Sequence, residues 1–173
     1  MQERSGVVTF QGGPLTLLGP DIQVGQVGPD FTVVDENFKP VKLSNFAGRV
    51  VIISAVPSLD TPVCSVQTKR FNQEAAKLAD TITVLTISED LPFAQKRFCS
   101  SEKIDGHVVL SDHVYRQFGE RCGLLIKDMI LLARTVLVIG KDGIISYRQI
   151  VSELADEPDY EAALAAAKDA TGK

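Results

Sequence analysis

The chain has 173 residues, 45% of them hydrophobic and 23% charged, with a net charge of −4 at pH 7. That composition excludes disordered, collagen-like and coiled-coil chains, and the length predicts one domain spanning residues 1–173, able to bury a core without a metal or disulfide. The acidic balance argues against a nucleic-acid face. No apolar run of about 18 residues marks a membrane span, and the opening Met1–Gly6 lacks a signal-like pattern, so the expectation is a cytoplasmic protein.

In chain order, Val7–Phe10 and Leu15–Leu18 flank a Gly-rich loop, Gln11-Gly12-Gly13-Pro14, and read as a hairpin. A turn-rich stretch, Gly19 to Asp30, leads into a short strand at Phe31–Val34. Val50–Ser54 is a continuous apolar run between Gly48 and Pro57, the pattern of a buried strand. The spacing of Val66, Phe71, Ala75 and Leu78 predicts a helix over 63–79. A β-branched run over 81–88 predicts the next strand, and Pro92 begins a helix reaching about Ser101. A short strand at Val108–Leu110 and a short helix over Val114–Phe118 follow. Arg134–Ile139 reads as another buried strand, joined by Lys141-Asp142-Gly143 to Ile144–Gln149, and Asp159–Ala170 as a closing Ala-rich helix. A parallel crossover followed by an antiparallel hairpin and a last helix is an α/β order with a mixed sheet, the thioredoxin-like arrangement.

The three cysteines, Cys64, Cys99 and Cys122, are far apart and form no Cys-x-x-Cys pair, which argues against a zinc site or a disulfide framework. His107 and His113 have no partner at metal-ligand spacing and read as surface or capping groups. Lys69-Arg70 and Lys96-Arg97 read as solvated helix faces.

One segment carries chemistry. Pro57-Ser58-Leu59-Asp60-Thr61-Pro62-Val63-Cys64 lies between a buried strand and a helix start, where α/β sheets bind ligands. Thr61 is placed as N-cap with Pro62 at the first helical position. Cys64 falls in the first turn, where free backbone N–H groups and the helix dipole favour a thiolate. The Thr61 hydroxyl falls within reach of the sulfur or of a substrate oxygen, and Pro57 can shield the sulfur from water. A cysteine at a helix start is nonetheless most often a small buried hydrophobe. By themselves, Arg134 reads better as a strand-edge ion pair and Cys99 as a buried apolar contact beside Phe93 and Phe98.

The Pro57–Cys64 string resembles the active-site motif of peroxiredoxins. Together with Asp90-Leu91-Pro92-Phe93-Ala94-Gln95-Lys96-Arg97-Phe98-Cys99, the Leu131–Arg134 segment and the opening hairpin, it resembles the bacterial thiol peroxidases, the atypical two-cysteine branch, over nearly the whole chain. The resemblance implies a peroxiredoxin-type thioredoxin-like fold with an N-terminal hairpin extension. It makes Cys64 the peroxidatic cysteine, Thr61 the hydroxyl that orients the peroxide, Pro57 the shield, Arg134 the approaching arginine and Cys99 the resolving cysteine. It implies hydrogen peroxide and organic hydroperoxides as substrates, thioredoxin as reductant, a homodimer, and no cofactor. Cys122 matches no catalytic position and reads as a core or interface thiol.

Overall fold

The computed structural model describes residues 1–78 and 80–172. Two strands, β1 (Glu3–Phe10) and β2 (Gly13–Leu18), form the expected hairpin around Gln11-Gly12, both with positive φ. β3 (Thr32–Val34), β4 (Pro40–Lys42) and a 3-10 turn (Leu43–Phe46) precede β5 (Val50–Ala55). Then come α1 (Pro62–Ala75), β6 (Ile82–Ser88), α2 (Pro92–Glu102), β7 (Val108–Ser111) and α3 (Gln117–Arg121). β8 (Leu125–Ile126), β9 (Leu131–Leu132), β10 (Thr135–Ile139), β11 (Ile145–Ile150) and α4 (Tyr160–Thr171) complete the order.

The central sheet runs β11–β10–β5–β6–β7–β3–β4. β5, β6 and β7 are mutually parallel, and β10, β11, β3 and β4 add antiparallel edges, so the sheet is mixed as expected. The two-residue side-chain period divides these strands between two cores. Val51, Ile53, Ala55, Leu85, Ile87, Leu137 and Ile139 face one side, with Phe31 edge-on to Phe118 at 4.9 Å. Val50, Ile52, Ile82, Val84, Val136 and Val138 face the other, under Phe71 of α1 and Ala163, Leu164, Ala167 and Ala170 of α4. Burying each large aliphatic side chain contributes about 1.5–3 kcal/mol. That double burial is why β5 and β10 read as continuous apolar runs rather than alternating ones.

The hairpin pairs with β8 and β9 in a second sheet, β1–β2–β8–β9. The segment leaving β2 crosses the turn after α3 at very close range. A Cβ on Gly19 would lie 2.1 Å from the Glu120 carbonyl oxygen, and one on Gly123 1.9 Å from that of Pro20. Only glycine fits this crossing, and both carry positive φ, 105° and 67°.

Several bounds differ from the sequence expectation. The helix expected over 63–79 ends at Ala75, and Ala79 lies outside the described residues, as does Lys173. Val66 is 49% exposed; the buried face of α1 is Cys64, Gln67, Thr68 and Phe71. The helix expected at Val114–Phe118 begins later, at Gln117, because the Asp112 carboxylate accepts from Phe118 N (3.0 Å) and Gly119 N (2.7 Å) and so terminates that helix's N-terminal end. β4, β8 and β9 are too short to carry a local signal and exist through pairing alone.

Just beyond β6, Glu89 is buried, and neither of its carboxyl oxygens meets a hydrogen-bond donor among the described residues. Burial first, and then the nearby Asp112 charge, push Glu89 up to about 8, and burial also raises Asp112. The folded state therefore holds protons that the unfolded chain gives up near its ordinary carboxyl range. Stability is greatest below that range and falls as pH rises through about 8. Glu89→Gln should flatten this loss. Urea midpoints at pH 5 and pH 9 should differ less in the variant than in the parent chain; equal differences would refute the assignment.

Candidate active site

The site forms at the carboxyl end of β5. Antiparallel pairing places Thr135 of β10 opposite Ala55, the last residue of β5. Arg134, one residue before β10, is therefore set beside the loop that follows β5. Val56 and Pro57 continue inward from the strand and are buried, and the chain turns over Ser58–Thr61 into α1. Thr61 N and the Thr61 hydroxyl both donate to the Ser58 carbonyl, at 3.1 and 2.9 Å, closing that turn.

Cys64 sits in the first turn of α1 with no solvent exposure. Arg134 is 2% exposed and spends its guanidinium on three acceptors. Nε donates to the Leu154 carbonyl at 2.9 Å, Nη1 to Gln67 Oε1 at 2.8 Å, and Nη2 to Cys64 Sγ at 3.4 Å. No carboxylate lies within ion-pair distance of Arg134 among the described residues. A buried cation without an anion is costly, and a guanidinium keeps its proton. The Cys64 sulfur is the one ionisable group among the three acceptors that Arg134 contacts. The strand-edge ion pair that the sequence left open for Arg134 is absent among the described residues.

Gln67 is the residue that sequence reading passed over. It lies three positions after Cys64 on the same helix face, is fully buried, and donates through Nε2 to Ser54 Oγ at 2.8 Å while accepting from Arg134. A polar residue on an otherwise inward helix face was the available signal. Thr68, also buried, donates to the Cys64 carbonyl at 2.8 Å.

Thr61 takes the N-cap position by backbone geometry, but its hydroxyl is turned to Ser58 rather than to a helix N–H. The reason is local: the tight Ser58–Thr61 turn offers a carbonyl within reach. Thr61 is an exposed residue, and its hydroxyl, having donated its proton to Ser58, retains only acceptor capacity.

Cys99, on α2, is half-buried and packs against the cluster of Val56, Leu59, Cys64, Phe98 and Ile104. All three cysteines are free thiols. Burial, then the Glu36 charge, push the Cys99 thiol up to about 11. Cys99 lines a cavity of about 280 Å³ with Glu36, Lys96 and His107. Two other cavities, one around Gly28 and Phe46 and one around Val24 and Ser146, touch none of these site residues. Cys122 is 2% exposed and burial pushes its thiol far up, so it is an inert core thiol. His107 is half-buried, within 2.9 Å of Thr86 Oγ1, and burial lowers it to about 4. The basic pairs lie on helix faces as expected: Lys96 pairs Glu36 at 3.7 Å, Arg97 pairs Asp60 at 3.4 Å, Lys69 pairs Glu102, and Arg70 pairs Glu161 at 2.8 Å.

The sequence profile of the Redoxin family matches residues 23–164. The chain belongs to that family. A thiol peroxidase of Bacillus subtilis (strain 168) is 49% identical over 161 residues, 93% of this chain and 96% of its own length. One from Staphylococcus aureus (strain MRSA252) is 50% identical over 161 residues, 93% and 97% respectively. Among solved structures, a peroxiredoxin-like protein from Aquifex aeolicus superposes with a TM-score of 0.90 at 38% identity, over 98% of this chain and 99% of that one. A thiol peroxidase from Chromobacterium violaceum shares the fold at 18% identity, with a TM-score of 0.83 over 95% and 97% of the two chains. The chain is thus a thiol-dependent peroxidase of peroxiredoxin type, with the thioredoxin-like fold and hairpin extension that its sequence led one to expect.

Removing the guanidinium isolates its contribution. Arg134→Met should lower the second-order rate of Cys64 oxidation by hydrogen peroxide about 10²–10³-fold, the usual loss when a buried donor to a developing charge is deleted. Stopped-flow mixing reads this directly, and a loss below about tenfold would remove Arg134 from the site.

Proposed function

We propose that this thiol peroxidase reduces hydrogen peroxide and organic hydroperoxides through Cys64 as nucleophile and Cys99 as resolving thiol, with thioredoxin as the reductant. The observation that carries the reading is the buried Arg134 guanidinium, lacking a carboxylate, with Nη2 3.4 Å from Cys64 Sγ.

In this reading the Cys64 thiolate attacks one oxygen of the peroxide. The O–O bond breaks, the sulfur is oxidised to sulfenic acid, and the other oxygen leaves as hydroxide or alkoxide and takes up a proton. Arg134 and the helix N-terminus stabilise the charge that moves onto the oxygens, the Thr61 hydroxyl orients the peroxide by accepting from it, and buried Pro57 limits water at the sulfur. Gln67 holds Arg134 in register from the helix side.

Cys99 then attacks the sulfenic sulfur, forming the Cys64–Cys99 disulfide and releasing water. Both thiols are held in helices, and a disulfide needs Cα atoms within about 7 Å. The first turn of α1 and the body of α2 therefore unwind locally to form it. Unwinding also brings Cys99 out of the burial that holds its thiol at about 11, back toward the ordinary 9.0. The resolving thiol stays quiet until the helix opens. A dithiol reductant returns the disulfide to two thiols. No helix among the described residues is long and apolar enough to cross a membrane. A cytoplasmic homodimer fits this reading, since the cytoplasm keeps thiols reduced between turnovers.

The test couples NADPH oxidation to peroxide through thioredoxin and its reductase. The parent chain should turn over, Cys64→Ser should not, and Cys99→Ser should oxidise once and stop. Peroxide-treated protein should yield a Cys64–Cys99 peptide by mass spectrometry. Full turnover in Cys64→Ser, or an intermolecular disulfide as the main product, would overturn the assignment.

A further inference from the structure

Asp90 lies between β6 and α2, outside the site described above, and its carboxylate is unusually well served. Oδ1 accepts from Ser58 Oγ at 2.7 Å, and Oδ2 accepts from Leu59 N at 2.8 Å and from Ser88 Oγ at 2.8 Å. Two of these donors belong to the loop that carries Thr61 and leads into Cys64. The third continues the network. Ser88 Oγ accepts from Asp90 N at 3.3 Å and from Gln95 Nε2 at 3.0 Å, and Gln95 is a buried residue of α2, one helical turn ahead of Cys99. Gln95 Nε2 also reaches the Leu110 carbonyl at 2.8 Å, and the Asp90 carbonyl accepts from Ser111 Oγ at 2.6 Å, so β7 anchors the assembly. The donor and acceptor capacity of both serine hydroxyls is used consistently: Ser58 Oγ donates to Asp90 and accepts from Asp60 N at 3.3 Å.

We propose that Asp90 is a positioning residue that latches the Cys64 loop to the start of the Cys99 helix, holding both in the peroxide-reactive form and setting how fast they open to the disulfide. The inference rests on the Cys64–Cys99 reading above. Hydrogen bonds to a carboxylate are the strong kind, and these join the two segments that must part company with their folded positions during resolution. Asp90 therefore acts on the two half-reactions with opposite sign. A latched loop keeps Cys64 aligned with Arg134 and speeds the attack on peroxide. The same latch must break before Cys99 can reach Cys64, so it slows disulfide closure. A slow closure leaves the sulfenic acid exposed to a second peroxide and to oxidation to sulfinic acid.

The experiment follows both steps by stopped flow after mixing reduced protein with hydrogen peroxide, and scores Cys64 sulfinate by mass spectrometry. In Asp90→Ala, sulfenic acid formation should slow and disulfide closure should quicken, each by roughly tenfold or more, the worth of a charge-assisted hydrogen bond. Sulfinate at a given peroxide dose should fall. Asp90→Asn keeps one acceptor oxygen and should fall between the parent and Asp90→Ala on both rates. Ser58→Ala deletes one donor and should move both rates in the same two directions by less. Should Asp90→Ala not fold, the Asn and Ser58→Ala variants carry the comparison. Closure that is slowed or unchanged in these variants overturns the latch, because a general loss of structure would depress both steps together. A parent chain that forms no Cys64–Cys99 disulfide overturns the functional reading itself, and that result is read on the unsubstituted protein.

Discussion

A guanidinium sealed from water without a carboxylate partner is the constraint around which this molecule is arranged. Arg134 cannot shed its charge, so its surroundings must supply acceptors on every side. Helix α1 supplies two, Gln67 and the Cys64 sulfur, and the chain beyond β11 supplies the Leu154 carbonyl. Ser54, near the end of β5, fixes Gln67 in turn. The hairpin sheet takes part as well. Its small core gathers Val8, Leu17 and Ile126 around Ala133 and Leu154, the neighbour of Arg134 and one of its acceptors. The N-terminal extension thus packs behind the site, on residues that flank and hold Arg134.

Two adjacent carboxyl groups show how far environment outweighs residue type. Glu89 and Asp90 follow the same strand. Asp90 receives three side-chain or backbone donors, and Glu89 receives none among the described residues. One joins the loop before Cys64 to Ser88 and, through it, to α2. The other is a buried group whose charge is disfavoured first by burial and then by repulsion from the Asp112 carboxylate.

The cysteines divide in the same way. Cys64 contacts a cation at a helix N-terminus, Cys99 is half-buried beside a cavity and held as a thiol by burial, and Cys122 is buried in the main core. Their chemistry is set by these surroundings, since the three side chains are identical. The loop that leads into Cys64 and the helix that carries Cys99 are joined by the Asp90 hydrogen bonds and by a small apolar cluster, Val56, Leu59, Cys64, Phe98 and Ile104, separate from the two main cores. Such a joint can open without loss of the main cores.

Much of this was legible in the residues. The apolar runs at Val50 and Arg134–Ile139, the proline at the first turn of both α1 and α2, and the Lys141–Gly143 turn are local signals, and they placed the mixed sheet and its helices within a few residues. The Pro57–Cys64, Asp90–Cys99 and Leu131–Arg134 strings pointed to the family, and Cys64, Thr61, Pro57, Cys99 and Arg134 were marked from them. What local pattern could not carry was pairing. The β5–β10 register brings Arg134 to Cys64, 70 positions away along the chain. Gln67 looked like an ordinary helix residue until an arginine was placed beside it. The Asp90 network joins residues from the loop, β6, α2 and β7. The start of α3 depended on a carboxylate five residues ahead of it, and β4, β8 and β9 on partners elsewhere. Sequence by itself determines which segments are apolar, where they turn and which atoms are nucleophilic, because those are properties of single residues and short periods. Only the tertiary structure decides which charges are buried together, because burial and hydrogen-bond partnership are properties of the pair.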